Sequence, residues 1–330
     1  MIDRANQPVS PSDWTPARQA SNLRVCATEE TLPMIVRPKP NLLGILFSLK
    51  GSIAKRIALR SLLVTLLASV IVLVETWHPA YFSKVNATPF TLLGLSLSIF
   101  MSFRNNACYD RWWEGRKQLG QMIIEVRSLI RETQVLGDSP ERAGLLRGLC
   151  GFAHGLIARL RHEDETRAIN PWMAVNAGHP NLPDRVLQHL GATFSELAAQ
   201  GVISEWRYTQ WETRLVSLSQ VQAACERIKH TPLPFPYTLL LHRTIYLFCI
   251  LLPFAMAEPL GWLTPVFTAI VSYTFFGLDE IGDDLEDPFG FDENDLPCNA
   301  LVRTLEREVL AALGETDLPP ALEPVEYVLT

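Results

Sequence analysis

PFTLLGLSLSIFMSFRNNACYDRWWE, from Pro89 to Glu114, passes from strongly apolar sequence into a stretch rich in Arg, Asn, Asp and Trp. Beyond its first residue it contains no proline and no turn dipeptide. A helix written this way leaves a bilayer and continues into water, so one of its faces can line a path between the two. In the apolar part Leu95, Ile99 and Phe103 recur four residues apart and share one side. Spacing carries the same face on through Ala107, Asp110 and Glu114. Read alone, the stripe is either packing surface or a set of hydrophobic collars followed by carboxylates. The second design requires several copies of the helix around one axis.

Outward from this helix, apolar residues gather in blocks. The chain is 48% hydrophobic and 19% charged, below the roughly 25% charge of an average soluble domain. Ile57 to Trp77 is broken only by Arg60 and Glu75 and matches the roughly 20 residues needed to cross hydrocarbon. Pro89 to Phe103 is too short to span unless neighbouring helices shield its polar continuation, which predicts a protein-lined interior there. Tyr237 to Ala257 carries His242, Arg243 and Pro253. Arg243 is expected either to pair with an acid on a neighbouring helix or to snorkel to the inner membrane surface. Leu260 to Leu278 follows after only Glu258 and Pro259, a link short enough to predict an antiparallel pair.

Charge placement orients these blocks. Eight Lys or Arg lie between Arg4 and Arg56, and sixteen lie between the second and third blocks, whereas His78 to Thr88 holds Lys84 alone. The N-terminus, the middle region and the C-terminus are therefore expected in the cytoplasm. Residues 1–33 are polar and proline-bearing and read as a loose tail rather than a secretory signal; residues 311–330 read as a second tail. The middle region, 104–233, shows helical spacing over Gln121–Leu136, Glu141–Arg161, Asp184–Gln200 and Val202–Lys229, with Asn170–Asp184 as a loop. Cys26, Cys108, Cys150, Cys225, Cys249 and Cys298 form neither a disulfide framework nor a zinc pattern. The absence of HExxH, P-loop and GxSxG motifs argues against an enzyme, and a net charge of −6 argues against nucleic acid as a partner.

After the fourth block comes an acidic run holding Asp279, Glu280, Asp283, Asp284, Glu286, Asp287, Asp292, Glu293 and Asp295. Its spacing is not that of an EF-hand. Such density suits either a hard cation such as calcium or a solvated helix end whose acids pair with arginines of the middle region.

Taken in order, SFRNNACYDRWWEGRKQ (Ser102–Gln118), TPLPFPYTLLLHRTIYLF (Thr231–Phe248) and DPFGFDEND (Asp287–Asp295) resemble the bestrophin family, close to its bacterial branch, over about residues 34–310. The resemblance implies an all-α membrane protein with four transmembrane helices (about 57–77, 89–103, 237–257 and 260–278) and a helical cytosolic domain (about 104–233 and 279–310). It further implies a homopentamer in the bacterial inner membrane, in contact with lipid, that passes small ions along one axial pore. The family's hydrophobic neck falls on Leu95, Ile99 and Phe103, and its cytosolic aperture falls near Ile203, Trp206 and Arg207. The calcium clasp of animal members aligns with Asp284, Asp287, Asp292 and Asp295, but Asp284 and Asp287 stand where the animal pattern has amides, so calcium stays an open alternative.

The family name implies chloride, while the bacterial branch leans toward monovalent cations such as sodium. Asp110 and Glu114 lean the same way if they face the axis. Arg104, Asn105 and Arg111 lie close by, and a small rotation of the helix exchanges the lining charge. Two other classes stay open: a secondary transporter, which normally shows inverted repeats, and a membrane-anchored scaffold that binds through its cytosolic region.

Overall fold

The computed structural model describes residues 53–324 apart from 80, 83, 84 and 177. The tail expected over residues 1–33 thus lies wholly outside the described residues, and the one expected over 311–330 lies partly outside them. Among the described residues there are helices and no strand. They are α1 (Ala54–Trp77), α2 (Thr88–Glu132), α3 (Pro140–Leu160), α4 (Glu165–Ile169), α5 (Leu182–Ala199), α6 (Glu205–His230), α7 (Phe235–Leu260), α8 (Thr264–Glu286) and α9 (Cys298–Ala312).

The opening stretch forms a single helix. α2 runs for 45 residues with its proline confined to the first turn, which makes it about 68 Å long. It links two cores. At one end Leu97 and Met101 pack with Ile57 of α1, Ile245 and Phe248 of α7 and Phe276 of α8. At the other end Leu119, Met122, Val126 and Leu129 pack with Phe152 of α3, Phe194 of α5, Trp211 of α6 and Val302 of α9. A small third cluster, Ile71, Val72 and Ala257, closes the far end of α1 and α7.

Two stretches are long and apolar enough to cross a bilayer: α1, and Phe235–Glu286, which a 3-10 turn at Gly261–Leu263 folds back on itself. The outer surfaces of these helices are apolar, with Leu59, Leu62, Leu66, Val70, Leu240, Leu247, Val266 and Ile270 all exposed. An uncovered surface of that composition suits hydrocarbon. Trp77, Tyr81 and Trp262 are exposed at the end farthest from the second core, the position of an interfacial aromatic belt.

Several boundaries differ from the sequence reading. The expected link at Glu258 and Pro259 is still helical, because α7 continues to Leu260 and bends at Gly261, whose φ of +51° favours glycine. The helix expected from Val202 begins at Glu205, since the Ser204 side chain accepts the Arg207 backbone N–H and caps it there. The loop expected over Asn170–Asp184 is shorter, as Asn181 caps α5 by accepting from the Asp184 N–H.

Candidate functional site

Burial divides α2 into two faces. Leu97, Met101, Arg104 and Cys108 are buried against the chain's own helices, whereas Leu95, Ile99 and Phe103 are 61%, 48% and 61% exposed. The stripe that opened the sequence reading is therefore not packing surface within one chain. Its polar continuation is exposed at Ser102, Asn106 and Asp110.

What holds that face outward is an ionic anchor beside it. Arg104 is the residue after Phe103, and its side chain has no solvent exposure. Its Nη1 donates to Asp279 Oδ1 at 3.0 Å and to the Asp279 carbonyl at 3.2 Å, and its Nη2 reaches Asp283. Glu286 lies 3.9 Å from the same guanidinium. His242 of α7 joins the cluster, with Nδ1 2.6 Å from the second oxygen of Asp279. The cluster ties α2, α7 and α8 together at the level where apolar sequence ends. Gly282 makes the approach feasible, because a Cβ there would sit 2.8 Å from Arg104 Nη1 and 2.7 Å from Asn105 Oδ1. His242, Asp279 and Asp283 bring donor atoms within 4.8 Å of one another, but Arg104 claims both carboxylates, so the group is an ion cluster rather than an open metal site.

The neighbouring charges are likewise placed. Arg111 turns away from the open face: Nη2 donates to the Ile228 carbonyl at 2.5 Å, Nη1 to the Thr231 carbonyl, and Nε to the Glu286 carbonyl at 3.2 Å. It thus satisfies carbonyls at the ends of α6 and α8. Asn105 donates to the Leu278 carbonyl at 2.9 Å. Glu114 is half-buried and paired with Arg227 of α6 at 2.5 Å. Asp110 is exposed and makes no ion pair within the described residues. Of the two acids singled out by spacing, the structure leaves Asp110 on the open face and turns Glu114 toward α6. Arg243 is exposed and likewise without an ion-pair partner among the described residues, so of its two expected roles the acid pairing is not made; its neighbour His242 pairs with Asp279 instead.

The aperture candidates separate in the same way. Ile203 is 4% exposed and belongs to the second core, while Trp206, on the first turn of α6, is 72% exposed. Arg207 reaches back to the Glu132 carbonyl at 3.1 Å and fixes the start of α6 against the end of α2.

The acidic run packs against the RWWEG segment of α2. Phe289 is fully buried against Gly115 and Leu296, where a Cβ on Gly115 would come within 3.1 Å of the ring. Trp112 Nε1 donates to the Asn294 carbonyl at 3.1 Å, and Arg161 Nε to the Phe289 carbonyl at 3.1 Å. The four acids aligned with the calcium clasp are already engaged. Asp284 and Asp292 bind the guanidinium of Arg56, the latter at 2.9 Å, and Asp287 binds Lys229 Nζ at 2.6 Å. Asp295 is 2% exposed; its Oδ2 accepts the Asp292 backbone N–H at 2.8 Å, and its Oδ1 has no partner. Burial pushes its carboxyl up to about 7, with Asp292, Asp287 and Asp284 adding to the effect. Three of the four carboxylates thus carry a cationic side chain, and the set does not fit a ready calcium cage. Of the two readings of the acidic run, pairing with arginines of the middle region is met by Arg104; Lys229 of that region and Arg56 and Arg60 of α1, the last 3.1 Å from Glu280, were not anticipated.

Comparison with known proteins shows the family of the chain. The family described as Bacterial/Fungal Bestrophin protein matches residues 34–311. A protein of Mesorhizobium japonicum, named as a voltage-dependent anion channel-forming protein, is 41% identical over 298 residues, covering 89% of this chain and 96% of its own. Escherichia coli YneE, named in the same way, is 37% identical over 88% of this chain and 98% of its own. The crystal structure of a bacterial bestrophin homolog from Klebsiella pneumoniae superposes with a TM-score of 0.75 at 34% identity, covering 78% of this chain and 99% of that one.

Proposed function

The chain belongs to the bestrophin family, in its bacterial and fungal branch, and on that premise we propose that it assembles as a homopentameric channel with α2 of each subunit on the axis. The family's members are ion channels rather than enzymes, and this chain is an ion channel in a membrane. In the proposed assembly four segments cross the bilayer: α1, the apolar start of α2, α7 and α8. Both termini lie in the cytoplasm, and lipid covers the outer faces of α1, α7 and α8.

The observation that carries the reading is the open face of α2. Leu95, Ile99 and Phe103 project from their own subunit, and five copies around an axis form three stacked apolar rings that narrow and dewet the path. Below them, Asp110 sets a ring of carboxylates, while Arg104 and Arg111 are turned into the protein. We assign the cytosolic aperture to Trp206, the exposed member of its trio. With Glu114 neutralised by Arg227, Asp110 remains the acid at the neck mouth and favours small monovalent cations.

Anion conduction is the second reading. It is favoured by the names of the Mesorhizobium and Escherichia relatives and by Lys117, exposed two turns beyond Asp110 on the same side. Reversal potential in reconstituted bilayers under paired sodium and chloride gradients distinguishes them. A potential near the sodium equilibrium value supports the Asp110 ring, and one near that of chloride replaces it with the anion reading. A monomer or two-fold dimer in detergent, with no current, overturns the channel geometry altogether.

A further inference from the structure

We propose that His154 and Cys150 of α3 and Glu306 of α9 form a binding site for a divalent transition metal of the zinc class. The site uses no residue of α2 or of the acidic loop and does not depend on the channel reading. His154 Nε2 lies 3.6 Å from Glu306 Oε2. Both atoms are shut off from solvent, and neither has a hydrogen-bond partner among the described residues. Glu306 is 4% exposed, and burying a carboxylate oxygen that accepts from nothing costs free energy. A gap of 3.6 Å is too long for a direct hydrogen bond. It is too short for a bridging water, which reaches each side at about 2.8 Å and, at a tetrahedral angle, holds its partners about 4.6 Å apart. A tetrahedral zinc ion bound at about 2.0–2.2 Å holds its nitrogen and oxygen ligands about 3.4 Å apart. Of the three, the observed spacing matches best two ligands that share an edge of a metal site.

The third donor comes from α3. The cysteines alone show no zinc spacing, but Cys150 precedes His154 by four residues, so the two side chains share one face of the helix. Cys150 is fully buried, and the charge of Glu306 adds to burial in holding its thiol well above the ordinary range, so the carboxylate lies near the sulfur. Sulfur beside imidazole and carboxylate selects zinc-like ions over calcium or magnesium. Trp172 stacks on the imidazole, with ring centroids 5.3 Å apart and planes within 16° of parallel, and holds the ring in place. The His154 side chain is 29% exposed, which leaves an ion a way in and a water a place as fourth ligand. Arg303, three residues before Glu306, brings Nε to 3.0 Å from the same Oε2. It makes no hydrogen bond there, so it offsets the carboxylate's charge without satisfying the oxygen. An ion held by these groups ties α9 to α3 within the second core.

Zinc calorimetry and cobalt absorption on the full chain, freed of metal by dialysis against a chelator, test the site. The wild type should bind zinc with an affinity that His154→Gln and Glu306→Gln each lower about tenfold or more. Cobalt in its place should show a sulfur-to-metal charge-transfer band, which Cys150→Ser, a change of one atom, should remove. Zinc affinity should rise with pH, because the bound thiol gives up its proton to solvent. No zinc binding by the wild type at micromolar concentrations overturns the proposal. Equal binding by wild type, His154→Gln and Cys150→Ser means adventitious ions on other groups and overturns it too, as does a cobalt complex without the sulfur band. Should Glu306→Gln fail to fold, His154→Gln and Cys150→Ser decide the matter by themselves.

Discussion

Replacing Arg104 with methionine removes the guanidinium that faces Asp279 and Asp283 while keeping a long apolar stem. Arg104 and Asp279 have side-chain exposures of 0% and 1%, so the carboxylate is left in a dry interior with His242 as its remaining partner. Breaking a buried pair from one side costs about 3–5 kcal/mol. With roughly 2.1 cal/mol/K of unfolding entropy per residue, the roughly 270 residues of the described chain give about 0.6 kcal/mol/K. The apparent melting temperature should therefore fall by about 5–9 °C, measured by thermal shift of the detergent-purified assembly. Adding Asp279→Asn to Arg104→Met removes the stranded charge and should recover more than half of the loss. A fall below about 2 °C, or no recovery in the double variant, refutes the claim that this ion cluster anchors α2.

Three further outcomes are expected. Ile99→Ala or Phe103→Ala widens an apolar ring, so single-channel conductance should rise; unchanged conductance in both removes them from the constriction. Asp110→Asn should move the reversal potential toward the anion value, whereas Glu114→Gln, whose acid is held by Arg227, should not; the opposite order sinks the assignment of the charge ring. Burial raises the Asp295 carboxyl from 3.8 to about 7, so over that window the folded loop holds a proton the unfolded chain has released. Stability then falls as pH rises through the window and levels off above it; Asp295→Asn should flatten the slope, and identical slopes in both proteins count against the buried acid.

The long helix was legible because nothing between Pro89 and Glu114 interrupts it, and the order of its flanking motifs was legible as a family resemblance. Their physical relation was not: RWWEG and DPFGFDEND lie far apart in sequence, and only folding shows Phe289 seated on Gly115. Spacing put Asp110 and Glu114 on one face, but they lie more than one turn apart around a helix wall, and that offset delivers Glu114 to Arg227. His242 and Arg243 are adjacent, so periodicity could not decide which faces inward. The start of α6 was missed by three residues although Ser204 carries a readable cap signal. The turn after α7 was placed too early because the apolar run pauses at Glu258 and Pro259, whereas the helix continues through both and Gly261 makes the stop. Arg56 was counted as topology charge; a basic cluster in the first turns of α1, in a chain with a surplus of acids after the fourth block, was the available signal.

An unbroken α2 also has a mechanical consequence. Pinned at Arg104, it is a two-armed beam: Leu95 lies nine residues to one side and Glu132 twenty-eight to the other, arms of about 14 and 42 Å. A tilt of about 5° about that fulcrum sweeps the cytosolic end by about 4 Å and the neck by about 1 Å. A given tilt therefore moves the proposed neck about a third as far as the cytosolic end, on the scale of a single methyl group.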